Sequence, residues 1–299
     1  MKKIKQKSYD NGVERFSNIF LGVASIIFLF PMFIALMVSI SSEESIMRNG
    51  YQIIPDEFSL ESYRLLLVYY GKELFRALTL TVGTGLLQPF LSIILTMCMA
   101  YPLSQPDFKG RNFWRIYLVI TMLFSGGLIP EYILKTNYLG LKNNILIYII
   151  PGVAAWNVFL FRTFFVNIDK SMVESAKIDG ASKFQILWKI MLPLTKALVA
   201  MQFFSSFIGR WNDIETSLYY ITNRKLFTLQ YLLQEMLKSN EETKLLIKAG
   251  LSVSMDHISI PIESTRFALA VIGAVPVLLL FPYIQKYYAK GIMLGSTKG

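Results

Sequence analysis

Apolar stretches of about twenty residues recur along this chain, and they restrict its folding more than any other feature. Bilayer hydrocarbon is about 30 Å thick, so a helix that crosses it needs about 20 mostly apolar residues. Six such spans are predicted, at about 17–40, 78–103, 113–133, 145–165, 197–221 and 267–287. The expected fold class is therefore all-α, a polytopic membrane protein whose 299 residues form a single transmembrane domain. Composition agrees: 54% of the residues are hydrophobic, and the mean hydropathy of +0.45 exceeds that of ordinary soluble domains. Helix breakers lie inside several spans, namely Pro31, Pro89, Pro151, Pro276 and the Ser125-Gly126-Gly127 step. Neighbouring helices and polar side chains can satisfy the backbone groups that such residues free.

Charge orients the spans. The N-terminal tail carries Lys2, Lys3, Lys5, Lys7 and Arg15 against Asp10 and Glu14. The loop after the second span carries Lys109, Arg111 and Arg115 against Asp107, and the C-terminal tail carries Lys286, Lys290 and Lys298. The segment 162–196 adds six basic and three acidic residues on the same side. The opposite segments, 41–77, 130–144 and 222–265, are close to neutral. Lys and Arg accumulate in cytoplasmic loops, so both termini are expected inside. The formal net charge of +10 is thereby a matter of topology and does not call for nucleic acid. The first span is longer than a signal-peptide core and is expected to stay as an anchor, with only a weak cleavage-like site at Ser39-Ile40-Ser41. The outer segments 41–77 and 222–265 are long enough for short amphipathic helices, one of them predicted near 59–70 at the membrane surface.

Several chemistries are excluded. Cys98 is the only cysteine and His257 the only histidine, which removes internal disulfides and most metal or histidine-based sites. No G-x-x-x-x-G-K-[ST] phosphate loop, HExxH, GxSxG or dinucleotide fingerprint occurs. The chain is expected to be no enzyme, to hold no cofactor and to draw any energy from a partner.

The segment 169–193 is the most informative loop. Ser171 with Glu174, and Ser182 with Gln185, have the spacing of capping boxes, and Gly180 between them suits a left-handed helix end. Phe184, Leu187, Trp188 and Met191 recur at helical spacing, and Pro193 is expected to end that helix. The result is a helix, a glycine elbow and a second helix at the membrane surface. Small residues Ser175, Ala176 and Ala181 allow close backbone approach, and the apolar stripe suits a partner's groove. An amphipathic helix packed under the bundle has the same pattern. Glu174 serves as a cap or as a partner contact, and Asp179 as a contact or a solvated charge.

This segment resembles the EAA loop of ABC importer permeases. Glu174-Ser175-Ala176, Gly180, Ile190 and Leu192-Pro193 stand at that motif's spacings, with Ser175 in place of alanine, and Asp179-Gly180-Ala181 resembles its Asp-Gly-Ala variant. The six spans resemble the carbohydrate-uptake permeases of the maltose-permease type. Phe124-Ser125-Gly126-Gly127-Leu128-Ile129-Pro130, Phe161-Arg162 and Trp211-Asn212 resemble a subgroup serving complex oligosaccharides. The resemblance implies a type I ABC importer fold in a bacterial plasma membrane, with the loop as a coupling helix seated in an ATPase subunit. It implies as partners a second homologous permease, two nucleotide-binding subunits that hold ATP and Mg, an extracytoplasmic solute-binding protein and membrane lipid. On this resemblance Glu174, Ser175, Ala176, Asp179, Gly180, Ala181, Phe184, Trp188, Leu192 and Pro193 carry the coupling.

Polar groups inside spans are costly and are functional candidates. Arg210, Trp211, Asn212 and Asp213 in the fifth span, with Trp156 and Asn157 in the fourth, have the aromatic faces and amides that a sugar pathway needs. Structural roles compete: Arg210 can pair with Asp213, Trp211 can sit in an interfacial belt, and Trp156 and Asn157 can be packing residues. Glu131 and Tyr132 are candidates for an outer gate, and Phe203, Phe204 and Phe207 for lipid-facing or packing roles. Alternatives are an ABC permease for a non-sugar solute, a secondary transporter and a membrane-bound enzyme. A secondary transporter needs paired intramembrane carboxylates or broken helices in inverted halves, and neither is evident.

Overall fold

The computed structural model describes residues 2–248 and 262–296, and regular structure among them is helical apart from one bridge between Ser41 and Phe58. In chain order the helices are α1 (Lys2–Ser39), α2 (Glu43–Asn49), α3 (Glu61–Ser104), α4 (Arg111–Leu123) and α5 (Leu128–Ile133). They continue with α6 (Leu146–Ile149), α7 (Ala155–Val166), α8 (Lys170–Ile178), α9 (Lys183–Ile186) and α10 (Leu192–Leu194). The last are α11 (Lys196–Trp211), α12 (Glu215–Tyr220), α13 (Leu229–Lys248) and α14 (Ile262–Ser296). Single π-helical turns, Leu134–Tyr138 and Leu187–Met191, extend α5 and join α9 to α10.

Among the described residues, three stretches are long and apolar enough to cross a bilayer unbroken: Gly12–Ser39, Glu61–Ser104 and Ile262–Pro282. They contain the predicted second span, all but Ile40 of the first and most of the sixth. The third span bends by 110° between α4 and Leu128–Tyr138, at the Ser125-Gly126-Gly127 step, where Gly127 has φ +83°. The fourth is interrupted at 151–154, leaving α6 and the short apolar α7. The fifth ends as a helix at Trp211 and resumes as α12. Pro31, Pro89 and Pro276 lie inside continuous helices, so the breaks fall at the Gly-Gly step, at Pro151 and after Trp211. In one break the Ser92 hydroxyl donates to the Gly152 carbonyl, the side-chain compensation that a broken membrane helix requires. The predicted surface helix at 59–70 is instead the first part of the 44-residue α3. The segment 222–265 forms a 3-10 turn at Arg224–Leu226 and α13; its residues 249–261, His257 among them, lie outside the described residues.

The chain falls into two compact units, 1–72 with 233–275 and 73–232 with 276–299. In the first, an 18-residue apolar window of α1 has no residue buried within the chain. Glu43 closes the N-terminus of α14: its carboxylate accepts from the amides of Ile262 (3.0 Å), Glu263 (2.9 Å) and Ser264 (3.0 Å) and from the Ser264 hydroxyl (2.9 Å). A carboxylate there satisfies orphan N–H groups and meets the positive end of the helix dipole. Tyr51 donates to Glu263 at 2.8 Å and packs edge-on against Phe267.

The second unit holds the loop 169–193. Its core is built from Met97, Ala100 and Leu103 of α3, Val158, Phe161 and Phe165 of α7, and Leu198 of α11. Ile186, Leu187 and Met191 join the same core. For these three loop side chains, burial relative to exposure in water contributes about 1.5–3 kcal/mol each.

Candidate functional site

The loop begins where Asp169, the N-cap of α8, accepts from the Ser171 amide at 3.0 Å. This corrects the expected Ser171–Glu174 box. The helix starts two residues earlier than that box requires, which places Glu174 in the fifth helical position, beyond reach of the cap. Hydrogen bonds from Ser171 hold the Asp169 carboxyl below its ordinary range. Glu174 is exposed, and its side chain makes no hydrogen bond or ion pair among the described residues. It lines a cavity of about 380 Å³ with Asp107, Arg111, Arg162 and Lys177. Arg162 Nε donates to the Leu103 carbonyl at 3.0 Å, tying α7 to the last turn of α3.

The elbow has the geometry that Gly180 foreshadows. Gly180 has φ +79°, its N–H donates to the Lys177 carbonyl (3.1 Å), and the Ala181 N–H donates to the Ala176 carbonyl (2.9 Å). This pair of bonds is a Schellman motif, which closes a helix through one left-handed residue. No heavy atom would lie within 4 Å of a Cβ added to Gly180, so conformation and not space selects glycine. Ser182 and Gln185 then make a complete capping box: the Gln185 amide donates to Ser182 Oγ (3.2 Å), and the Ser182 amide to Gln185 Oε1 (2.8 Å).

The apolar stripe divides in two. Leu187 and Met191 are buried, whereas Phe184 is 67% exposed and rests on the partly buried ring of Trp188. The π turn at Leu187–Met191 widens the helix there. Ile178, which sequence reasoning passed over, is 86% exposed at the elbow. Ser175, Asp179 and Pro193 are exposed, and Ala176, Ala181 and Leu192 are half-buried. Pro193 does not end the helix. It sits within the first residues of α10, and the chain turns by 81° at Thr195, whose hydroxyl donates to the Met191 carbonyl.

The second group of predicted residues forms a joint between α11 and α12. The Arg210 guanidinium pairs with Asp213, lies 3.4 Å from Thr216 Oγ1, and sits over the Tyr148 ring at 5.1 Å. Asp213 also accepts from the Thr216 amide (3.0 Å) and hydroxyl (2.6 Å). Tyr148 OH shares a hydrogen bond with Ser217 and donates to the Leu226 carbonyl, and Ser217 contacts Thr228 at 2.9 Å. The charged side chains are only 13% and 14% exposed, and Trp211 is 1% exposed. The Arg210–Asp213 pair is thus real, and burial rules out an interfacial-belt place for Trp211. Asn212 is exposed and donates to the Ile208 carbonyl. Trp156 is 65% exposed on α7 and Asn157 half-buried, and neither belongs to this network. Tyr148, Thr216, Ser217 and Thr228 were missed; lying near span ends or, for Thr228, in the following outer segment, they gave no local signal. Glu131 pairs with Lys135, which lies over the Tyr220 ring, and Tyr132 stacks on Tyr220. Phe207 is buried against Trp211, a packing role.

Comparison with known proteins places this geometry. Residues 4–293 match the family described as binding-protein-dependent transport system inner membrane component. The chain is 30% identical to the protein LplC of Bacillus subtilis over 282 residues, covering 94% of this chain and 93% of that protein. It is 32% identical to the polygalacturonan/rhamnogalacturonan transport system permease protein YtcP of the same organism, covering 94% and 96%. A chain from the crystal structure of a bacterial ABC transporter involved in the import of the acidic polysaccharide alginate superposes with a TM-score of 0.79. It is 27% identical, with 93% of this chain and 97% of that chain covered. The all-α polytopic fold is that of a type I ABC importer permease, and the chain belongs to the family of inner membrane components of binding-protein-dependent transport systems.

Proposed function

We propose that this chain is the permease subunit of an ATP-driven importer of oligosaccharides, working in the bacterial plasma membrane with both termini cytoplasmic. In this reading residues 1–299 act as one transmembrane domain. The chain itself is no enzyme and binds no cofactor; ATP and Mg are held by two partner ATPase subunits. A second, homologous permease completes the pathway, and an extracytoplasmic binding protein delivers the solute. The names of relatives that transport polygalacturonan/rhamnogalacturonan and arabinooligosaccharides support a carbohydrate substrate.

The observation that carries the mechanism is the loop's division into an anchored and an exposed half. Ile186, Leu187 and Met191 are fixed in the core, while Ile178, Phe184 and the unpaired Glu174 stand exposed. An element with one half held by the membrane helices and the other offered to a partner can transmit a push. The Schellman elbow and capping box keep it from melting under load. ATP-driven closure of the ATPase pair would move Glu174–Pro193, and the attached helices would reorient the pathway between two faces. Glu174 acts here as a partner contact, since Asp169 already caps the helix. Of the pathway residues, Trp156 and Asn212 are exposed to solute, and Arg210, Trp211 and Asp213 shape the wall behind them.

Gly180→Val tests this reading. A β-branched residue in the left-handed region costs about 1–2 kcal/mol or more, confined to the elbow. The variant is expected to insert in the membrane normally, yet to lose co-purification with its ATPase and solute uptake. Normal ATPase yield together with normal uptake would refute the coupling role.

A further inference from the structure

An apolar groove runs along α3, lined by none of the pathway residues, with a volume of about 630 Å³. Its floor is one stripe of the helix, from Arg76 through Thr79, Gly83 and Leu87, facing Ile145 and Ile149. The stripe is about 16 Å long at the α-helical rise. Its threonines contribute no polarity. Thr79 Oγ1 donates to the Phe75 carbonyl and Thr84 Oγ1 to the Leu80 carbonyl, both at 2.8 Å, so only methyl groups remain for the groove. Over Gly83 the space is open, with nothing within 4 Å of an added Cβ.

One end of this groove is cationic. Arg76 closes the floor, and Lys225 lines the same cavity. The neighbouring Arg224 pairs with Glu73 at 3.0 Å, which holds the 224–226 turn beside the first turn of the stripe. That pair is neutral. The side chains of Arg76 and Lys225 make no hydrogen bond or ion pair among the described residues, so two positive charges are left over. Arg76 lies just before the predicted second span at 78–103, where hydrocarbon gives way to headgroups, and the stripe runs from there toward the bilayer interior.

We infer that this groove is a binding site for an anionic phospholipid, with an acyl chain along Thr79–Leu87 and the phosphate between Arg76 and Lys225. Charge complementarity selects the occupant. Lipid supplies an apolar tail and an anionic head at this separation, whereas an apolar helix of another subunit would leave both cations unpaired at the boundary. The site rests on membrane insertion alone and not on the coupling role of the loop. In the orientation proposed above, the leaflet is the outer one.

The test uses the purified full-length chain, with or without its partner subunits, equilibrated with mixed phosphatidylglycerol and phosphatidylcholine micelles and read by native mass spectrometry. The expected result is one tightly retained phosphatidylglycerol. Arg76→Gln and Lys225→Gln should each lower its retention about fivefold, and together about thirtyfold, while phosphatidylcholine retention stays unchanged. Gly83→Leu should fill the groove and lower retention of the same lipid with helicity intact. Equal retention of both lipids, no response to the variants, or cysteine cross-links placing another subunit's helix against residue 83 in the assembled transporter would each overturn the site.

Discussion

The elbow around Gly180 and the joint around Arg210 are both breaks in a helical path, yet they are built by opposite means. At the elbow every determinant lies within seventeen residues of sequence: the Asp169 cap, the Schellman bonds from Gly180 and Ala181, and the Ser182–Gln185 box. The joint depends on partners from 148, 216, 217, 226 and 228, gathered around two buried charges. An exposed turn has few neighbours to borrow from, so it uses local bonds. A buried break can borrow groups from any neighbouring segment.

The sharpest way to break this comparison is Asp213→Ala. It leaves the Arg210 guanidinium buried without its carboxylate and should cost about 3–5 kcal/mol, seen as lower thermal stability of the purified protein. Replacing Arg210 and Asp213 together by methionine should cost less than the single change. If the double variant is instead the less stable, the network's value lies in charge pairing itself and not in avoiding an orphan charge. Within the loop, Leu187→Ala should cost about 2–5 kcal/mol because a packed side chain is lost from the core. Phe184→Ala, three residues away, should leave stability unchanged and reduce ATPase co-purification. Equal stability losses at the two positions would erase the distinction between anchored and exposed halves.

The smallest expected effect is at Asp169. Its folded carboxyl titrates below the ordinary value because Ser171 bonds its charged form. Its contribution is therefore present above the unfolded-state value, near 3.9, and fades as pH falls through the lower folded value. Helicity of α8 should loosen only in that acidic window, as read by amide exchange, and Asp169→Asn should weaken this acid dependence.

The elbow was legible in the sequence because its signals act over three to five residues. Gly180 and the Ser182–Gln185 box stand where the spacing put them. The Ser171–Glu174 box failed on a two-residue shift, since Asp169 and Ser171 are both good caps and only the helix start chooses between them. The stripe at Phe184, Leu187, Trp188 and Met191 was visible, but its division between core and surface was not, because periodicity does not say which neighbour lies opposite. The Arg210–Asp213 pair was readable as an i, i+3 contact. Its Tyr148 lid was not, being more than sixty residues distant.

The sequence by itself determined that the chain crosses a membrane, because apolar runs of bilayer length have no other stable solvent, and it determined where a rigid elbow must turn. Tertiary structure alone decided which helices stay continuous. Pro31, Pro89 and Pro276 sit inside continuous helices, while the path breaks at Gly126-Gly127, before α7 and after Trp211. A freed backbone group is tolerated only where a neighbour such as Ser92 or Asp213 can reach it, and which neighbour comes within reach is fixed only when the helices pack.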